Sequence, residues 1–383
     1  MSTNNETNLK GRRILVTGAN GFIGQNLVLR LGEIDGVSVL PFLRSDDVAT
    51  LPQLLSQVDA VVHLAGETRP ADPAAFSLVN AGLTKILCDA IRNEYYVSGR
   101  HILLLLASST QADQRNPYGR SKLTAEQIVE QLASDICNDA IVFRLPGVFG
   151  KWCKPNHNSV VATFCYNLAR ELPIEIHDPR AVLRLVYIDD VVSAFIKVLE
   201  RPKIGFSFEQ VEPEYSLTLG QLADQIRAFD ACRISLMIEP VGTGLVRALY
   251  ATYVSYFPTE RFSYSIPENK DERGVFVEML KTPDSGQFSF FTVNPGVTRG
   301  SHYHHTKTEK FLVLKGQCRL RFRHLISDET YEIVVSGDQP RVVDTIPGWV
   351  HDITNIGNAG AIVMLWANEV FDRNLPDCFP RDV

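Results

Sequence analysis

Apolar residues in the first 200 positions gather into short continuous runs, at 13–17 (RILVT), 37–43, 59–65 (DAVVHLA), 101–107 and 140–144. Each is too short for a helix and apolar nearly throughout, as a strand covered on both faces would be. Residues 22–31, 77–92 and 116–133 instead repeat apolar positions at helical spacing. Such alternation predicts an α/β doubly wound domain around a parallel sheet. The pattern changes near residue 270. From Phe276 onward the runs are short, aromatic and β-branched, punctuated by Pro295-Gly296, Lys315-Gly316, Ser336-Gly337, Pro347-Gly348 and Ile356-Gly357. Turns at that density predict an all-β antiparallel barrel or sandwich. A helix starting at Leu217, an aromatic stretch over 250–257 and a charged turn (PENKDERG) lie between. The expected organisation is an N-terminal domain over 1–250, a linker over 251–270 and a C-terminal domain over 271–383.

Composition narrows the partners. The 383-residue chain carries a net charge of −6 and no Lys/Arg run of five, so a nucleic-acid partner is not expected. No uninterrupted apolar stretch reaches the length of a membrane span. The polar segment 1–10 predicts no signal peptide. Seven scattered cysteines, odd in number and never in a C-x-x-C pair, predict reduced thiols and a cytoplasmic location.

Two constellations carry chemistry. In the first domain, Gly18-Ala-Asn-Gly21-Phe-Ile-Gly24 joins the first strand to the first helix. A pyrophosphate can reach backbone N–H groups at a helix N-terminus only where side chains leave room. Gly18, Asn20, Gly21, Phe22, Ile23 and Gly24 are thus the candidate dinucleotide loop. At the end of the second strand stands Arg44, suited to a ribose 2′-phosphate and hence NADPH, or else an ordinary solvated arginine. Tyr118-Gly-Arg-Ser-Lys122 puts a phenol and an ammonium one helical turn apart, where the cation is expected to lower the tyrosine pKa. Ser108, Ser109 and Thr110 close a strand at its carboxyl end, where one hydroxyl can hold a substrate oxygen.

These motifs, with HLAG at 63–66, RLPGVFG at 144–150 and VYIDDVV at 186–192, resemble the extended short-chain dehydrogenase/reductases over residues 11 to about 200. The resemblance implies a Rossmann fold with Tyr118 as proton donor. Lys122 would hold the nicotinamide ribose, and Ser109, with Thr110 as rival, would polarise the carbonyl. Ala65 and Gly66 would form the adenosine-side turn, and Asn80 the helix asparagine near the ribose. Arg184 is out of register with the family's phosphate-binding arginine and takes no role. In the polar loop after Gly150, Asn156, His157 and Asn158 either bind a nucleotide-sugar or make turn contacts of their own.

In the second domain, His302 and His304 share one side of a strand, Glu309 follows at short range, and Pro347-Gly-Trp-Val-His351 adds a third imidazole. Three histidines and a carboxylate suit zinc first, and also iron, manganese or nickel; the alternative is a set of surface histidines. The spacing resembles a cupin motif. A reductase followed by a cupin resembles the bifunctional capsular polysaccharide and O-antigen enzymes that make the precursor of N-acetyl-L-fucosamine. That resemblance implies a homodimer in which a metal-binding cupin epimerises C3 of a UDP-2-acetamido-2,6-dideoxy-4-hexulose. The first domain then reduces C4 with NADPH. Two other readings stay open: a cupin serving only as a structural, dimerisation or sugar-binding module, and a regulator that binds NADP(H) without turnover.

Overall fold

The computed structural model describes residues 9–383 except 71, 73, 373 and 375; most of the polar segment 1–10 thus lies outside the described residues. The first half alternates strand and helix as expected. In order come β1 (Arg13–Thr17), α1 (Phe22–Gly32), β2 (Ser38–Phe42), α2 (Leu51–Leu55), β3 (Ala60–His63), α3 (Ala74–Ser98), β4 (Leu103–Ser109), α4 (Pro117–Ile136) and β5 (Ala140–Leu145). There follow β6 (Gly147–Phe149), α5 (Val160–Leu168), β7 (Val182–Tyr187), α6 (Ile188–Glu200), β8 (Phe206–Glu209), β9 (Tyr215–Thr218), α7 (Leu219–Ser235) and α8 (Gly244–Val254).

Six strands pair in parallel in the order β2-β1-β3-β4-β5-β8, and β6-β7-β9 forms a small second sheet. The chain reverses its direction of travel across the sheet between β1 and β3, the crevice where such sheets bind ligands. Every residue of β3 and β4 is buried, which explains their unbroken apolar sequence. Leu87, Cys88 and Ile91 of α3 and Val129, Leu132 and Ile136 of α4 join Leu104 and Leu106 in one core. Among the described residues α3 alone is long and apolar enough to cross a membrane, yet those three side chains are committed to this core.

The second half holds β10 (Asn269–Asp271), β11 (Gly274–Lys281), β12 (Gln287–Val293), β13 (Thr298–Tyr303), β14 (Glu309–Lys315) and β15 (Gln317–His324). After them come β16 (Thr330–Ser336), β17 (Val342–Thr345), β18 (Trp349–Asn355), β19 (Ala361–Ala367) and β20 (Phe379–Pro380). They form two antiparallel sheets, β10-β11-β12-β19-β14-β17 and β16-β15-β18-β13-β20. Alternate residues of β12, β15 and β19 turn inward, and Phe291, Phe311, Leu320, Phe322, Ile353 and Val363 fill the space they enclose. This is the expected all-β, cupin-like domain.

The division of the chain differs from the expected scheme. One compact unit runs to residue 224 and includes 251–256; the other takes 225–250 and 257 onward. The reason is a long-range pairing. Leu236 accepts from the Lys281 backbone at 2.7 Å and Ile238 donates to Lys281 at 2.8 Å, so the segment after α7 runs beside the end of β11. The expected linker is also partly helical, since α8 ends at Val254 and residues 259–261 form a 3-10 turn.

Candidate functional site

The glycine loop packs as its sequence requires. Gly18 has φ +68°, and a Cβ there would come within 2.8 Å of the Ala65 backbone, so only glycine fits between β1 and the turn after β3. Asn20 and Gly21 lead into α1, which starts at Phe22 and Ile23 and buries Gly24. No side chain caps α1, so its first N–H groups are free to meet an anion. Arg44 lies just past β2 with its side chain 85% exposed and Nη1 3.3 Å from Glu67 Oε2. An exposed pair of this kind contributes about 0–1 kcal/mol, which a phosphate can displace.

Asn80 ties the turn after β3 to the neighbouring helices. Its side chain is buried, accepts from Glu67 N at 2.7 Å, and donates to Glu67 O at 3.1 Å and Ser121 Oγ at 2.9 Å. It thereby fixes Ala65 and Gly66, and a Cβ on Gly66 would lie 3.4 Å from Lys122 Nζ. His63, which carried no expectation, is buried between Thr17 Oγ1 (2.7 Å) and Thr84 Oγ1 (3.0 Å). Burial, reinforced by the Lys122 charge, lowers its pKa to about 3, so the ring is neutral.

Ser109, Tyr118 and Lys122 come together at the carboxyl end of β4. Asn116 caps α4 by accepting from Gly119 N at 2.7 Å. Gly119 is required there because a Cβ would overlap the Gln111 and Gln114 carbonyls. This close approach sets Tyr118 near Ser109, whose side chain acts on the phenol. Thr110, the rival hydroxyl, instead opens a 3-10 turn and lines a cleft. The expected lowering of the Tyr118 pKa is not what the geometry gives. Burial raises it, and the Ser109 side chain offsets only part of that rise. The physical reason is the direction of Lys122, which donates to Ala107 O at 3.0 Å from a fully buried position. Burial also lowers the Lys122 pKa to about 8 against the opposing pull of Glu126.

Beside this site lies a cleft of about 960 Å³ lined by Thr110, Asp113, Arg144, Arg184, Phe208 and Glu214 among others. Arg184 is held there by Glu214 at 2.5 Å. Asn156, His157 and Asn158 are not among its lining residues. Asn156 donates its backbone N–H to Thr163 Oγ1 at 3.0 Å, one of the turn contacts anticipated as the alternative.

In the C-terminal unit, His302, His304, Glu309 and His351 bring their donor atoms within 4.8 Å of one another. His302 faces His351 across the β13–β18 pair, with ring centroids 4.7 Å apart. His304 lies just past β13, and Glu309 opens β14. Glu309 Oε2 stands 3.4 Å from His304 Nε2 and 3.5 Å from His351 Nε2, beyond a good hydrogen bond. His304 Nε2 and both His351 ring nitrogens are buried without a hydrogen-bond partner. A buried orphan of this kind costs about 1–3 kcal/mol, so three in one cavity imply a missing partner. Burial, then the neighbouring His351, lowers the His302 pKa to about 4, so this ring is a neutral donor. Burial would raise Glu309, but His304, His351 and Lys307 hold it well below the usual range, an anion. The set fits a divalent cation.

Asp377 was not anticipated. Its backbone carbonyl bonds His304 Nδ1, and its carboxylate accepts from the N–H groups of His305, Thr306 and Lys307 at 2.7–2.8 Å. That fixes the His304 tautomer and aims Nε2 at the centre of the cluster.

Comparison with known proteins agrees with both units. Residues 14–212 match the NAD dependent epimerase/dehydratase family. The chain belongs to that family. Residues 269–379 match the polysaccharide biosynthesis C-terminal domain. A Pseudomonas aeruginosa relative of the family, UDP-2-acetamido-2,6-beta-L-arabino-hexul-4-ose reductase, is 52% identical over 97% of this chain and 99% of its own. The capsular polysaccharide assembling protein CapF of Staphylococcus aureus superposes with TM-score 0.89 at 40% identity, covering 97% of this chain and 100% of that one. RMD from Pseudomonas aeruginosa, solved with NADPH, shares the fold over 64% of this epimerase/dehydratase chain and 99% of its own, with TM-score 0.53 at 22% identity.

Proposed function

We propose that the protein reduces the C4 ketone of a UDP-2-acetamido-2,6-dideoxy-4-hexulose with NADPH, after its cupin domain has epimerised C3. The product would be UDP-2-acetamido-2,6-dideoxy-L-talose, on the route to UDP-N-acetyl-L-fucosamine for surface polysaccharide. The 52% identity to a UDP-hexulose reductase across both units carries this reading. The meeting of Ser109, Tyr118 and Lys122 at a strand end supplies its chemistry. A homodimer in the cytoplasm completes the proposal; the dimer rests on the resemblance alone, and the location on the cysteine usage.

NADPH would supply the hydride when bound, and the glycine loop with Ala65, Gly66 and Asn80 would hold it. Ser109 holds the substrate oxygen. Tyr118, its phenol raised and therefore protonated at neutral pH, donates the proton that the reduced oxygen needs. Lys122 would orient the ribose, and its ammonium opposes the negative charge left on the phenolate as the proton leaves. Arg44 is the proposed 2′-phosphate ligand. Replacing it with serine should raise the NADPH Kd by about 10- to 100-fold and leave NADH binding unchanged, the worth of a charge-assisted contact. Fluorescence titration with both nucleotides checks this; equal losses for both would remove Arg44 from the site.

In the cupin, a divalent metal on His302, His304, Glu309 and His351 would supply Lewis acidity for removing the proton beside the ketone. Asp377 acts through His304. Asp377→Ala should weaken metal affinity by about 10- to 100-fold, as losses of ligand-orienting partners do. Chelator competition on the full chain measures it, and unchanged affinity would contradict the assigned role. The whole proposal is tested by supplying NADPH and the UDP-4-hexulose and following the sugar. Reduction at C4 is expected, and no NADPH oxidation with this substrate would overturn the reading.

A further inference from the structure

Behind the reductase site sits a charged network that the mechanism above does not use. Glu126, one turn beyond Lys122 on α4, is 2% exposed. Its carboxylate accepts from Ser108 Oγ at the end of β4 and from Arg144 of β5 through Nε at 3.0 Å and Nη2 at 2.7 Å. Arg144 is held in turn by Asp113 at 2.8 Å, in the turn that follows Ser109. One buried carboxylate therefore joins the helix carrying Tyr118 and Lys122 to the strand carrying Ser109. Burying a charge this deeply is unfavourable unless it is paired; Lys122, at i−4 on the same helix face, donates to the Ala107 carbonyl, the β4 residue next to Ser108, and makes no ion pair among the described contacts.

We propose that Glu126 is the positioning residue of the reductase site: it clamps α4 to β4 and β5 through Ser108 and Arg144, and supplies the counter-charge for Lys122. This rests on the reductase reading above. The groups facing Lys122 from each packed element support the assignment. On its own helix these are Tyr118 and Glu126. β4 offers the Ala107 carbonyl, and β3 offers His63, which is neutral. The turn after β3 carries Glu67, whose carboxylate is directed to Arg44. β5 and the turn after β4 contribute Arg144 and Asp113, and Arg144 is paired with both Asp113 and Glu126, two carboxylates to one guanidinium. Glu126 is the anion that opposes the effect of burial on Lys122.

The sign follows. Lys122 works as an ammonium, so activity falls as pH rises through its pKa. Removing the Glu126 charge lowers that pKa further and moves the basic limb of the profile to lower pH. For Glu126→Gln we expect the basic limb of kcat/KM for reduction to shift down by about one pH unit. The pH at which NADPH affinity falls should shift with it. Glu126→Asp keeps the charge but draws it back by one methylene, and should shift the limb down by a smaller, measurable amount; Ser108→Ala, which keeps Glu126 and Arg144, should lower the rate without moving it. A Glu126→Gln enzyme slowed equally at every pH would make the residue structural and overturn the proposal. Where Glu126→Gln does not fold, Glu126→Asp replaces it, and a limb unmoved from wild type despite the retracted carboxylate overturns the proposal while a partial downward shift sustains it. The nucleotide-affinity profile is read without turnover. A wild type that binds NADPH but reduces no UDP-4-hexulose refutes the reductase reading and leaves the Glu126 shift to be judged by affinity.

Discussion

Tyr118→Phe is expected to lower ketone reduction by about 10²- to 10⁴-fold, the usual contribution of a positioned acid, with NADPH affinity close to wild type. The substitution removes one oxygen and keeps the ring, which packs edge-on to Phe76 at 5.6 Å, so the half-buried site should retain its shape. What disappears is the proton donor beside Ser109. Burial keeps that phenol protonated in the resting site, and an acid needs to be protonated at the start of its step. Stopped mixing of protein, NADPH and the UDP-4-hexulose, followed at the nicotinamide absorbance, separates the outcomes. A variant within about twofold of wild type would mean that another group delivers the proton.

The second large effect concerns the cupin. In a Tyr118→Phe background the reductase no longer traps the epimer, so solvent exchange at C3 becomes visible. The full-length variant in D2O should place deuterium at C3, and stripping the metal or replacing His351 with alanine should slow this by about 10²-fold or more. His351 is the informative ligand because both its ring nitrogens are buried without partners. Thermal melts must accompany the measurement. Exchange that vanishes only with the fold would make the metal structural, and no exchange by the folded, metal-loaded protein would leave the cupin as a binding or dimerisation module.

Much of this was legible in the chain because chemistry and periodicity agreed there. β3 and β4 are buried on both faces, so their sequences are apolar without alternation, and the helices between them show their period plainly. The grouping of the four cupin side chains was legible by spacing, since three of them lie within 302–309. Asp377 was not legible: a single carboxylate, about 70 residues beyond His304 and Lys307, leaves no local signature. The extent of the units was missed for a similar reason, because pairing of 236–238 with Lys281 is a long-range event. The Tyr118 shift was misjudged by assuming that two side chains one turn apart must face each other, whereas Lys122 turns to the Ala107 carbonyl. Ser109 and Thr110 could not be separated by sequence; of the two it is Ser109 that acts on the Tyr118 phenol, while Thr110 starts the next turn.

The central claim is hydride delivery to C4 of an epimerised UDP-hexulose, and isotope placement tests it most directly. The full chain, given nicotinamide-4-deuterated NADPH and the UDP-2-acetamido-2,6-dideoxy-4-hexulose in ordinary water, should yield a sugar with deuterium at C4 and the L-talo configuration. Oxidation of the nucleotide without deuterium at C4, or no oxidation by folded protein that binds both ligands, would contradict the account.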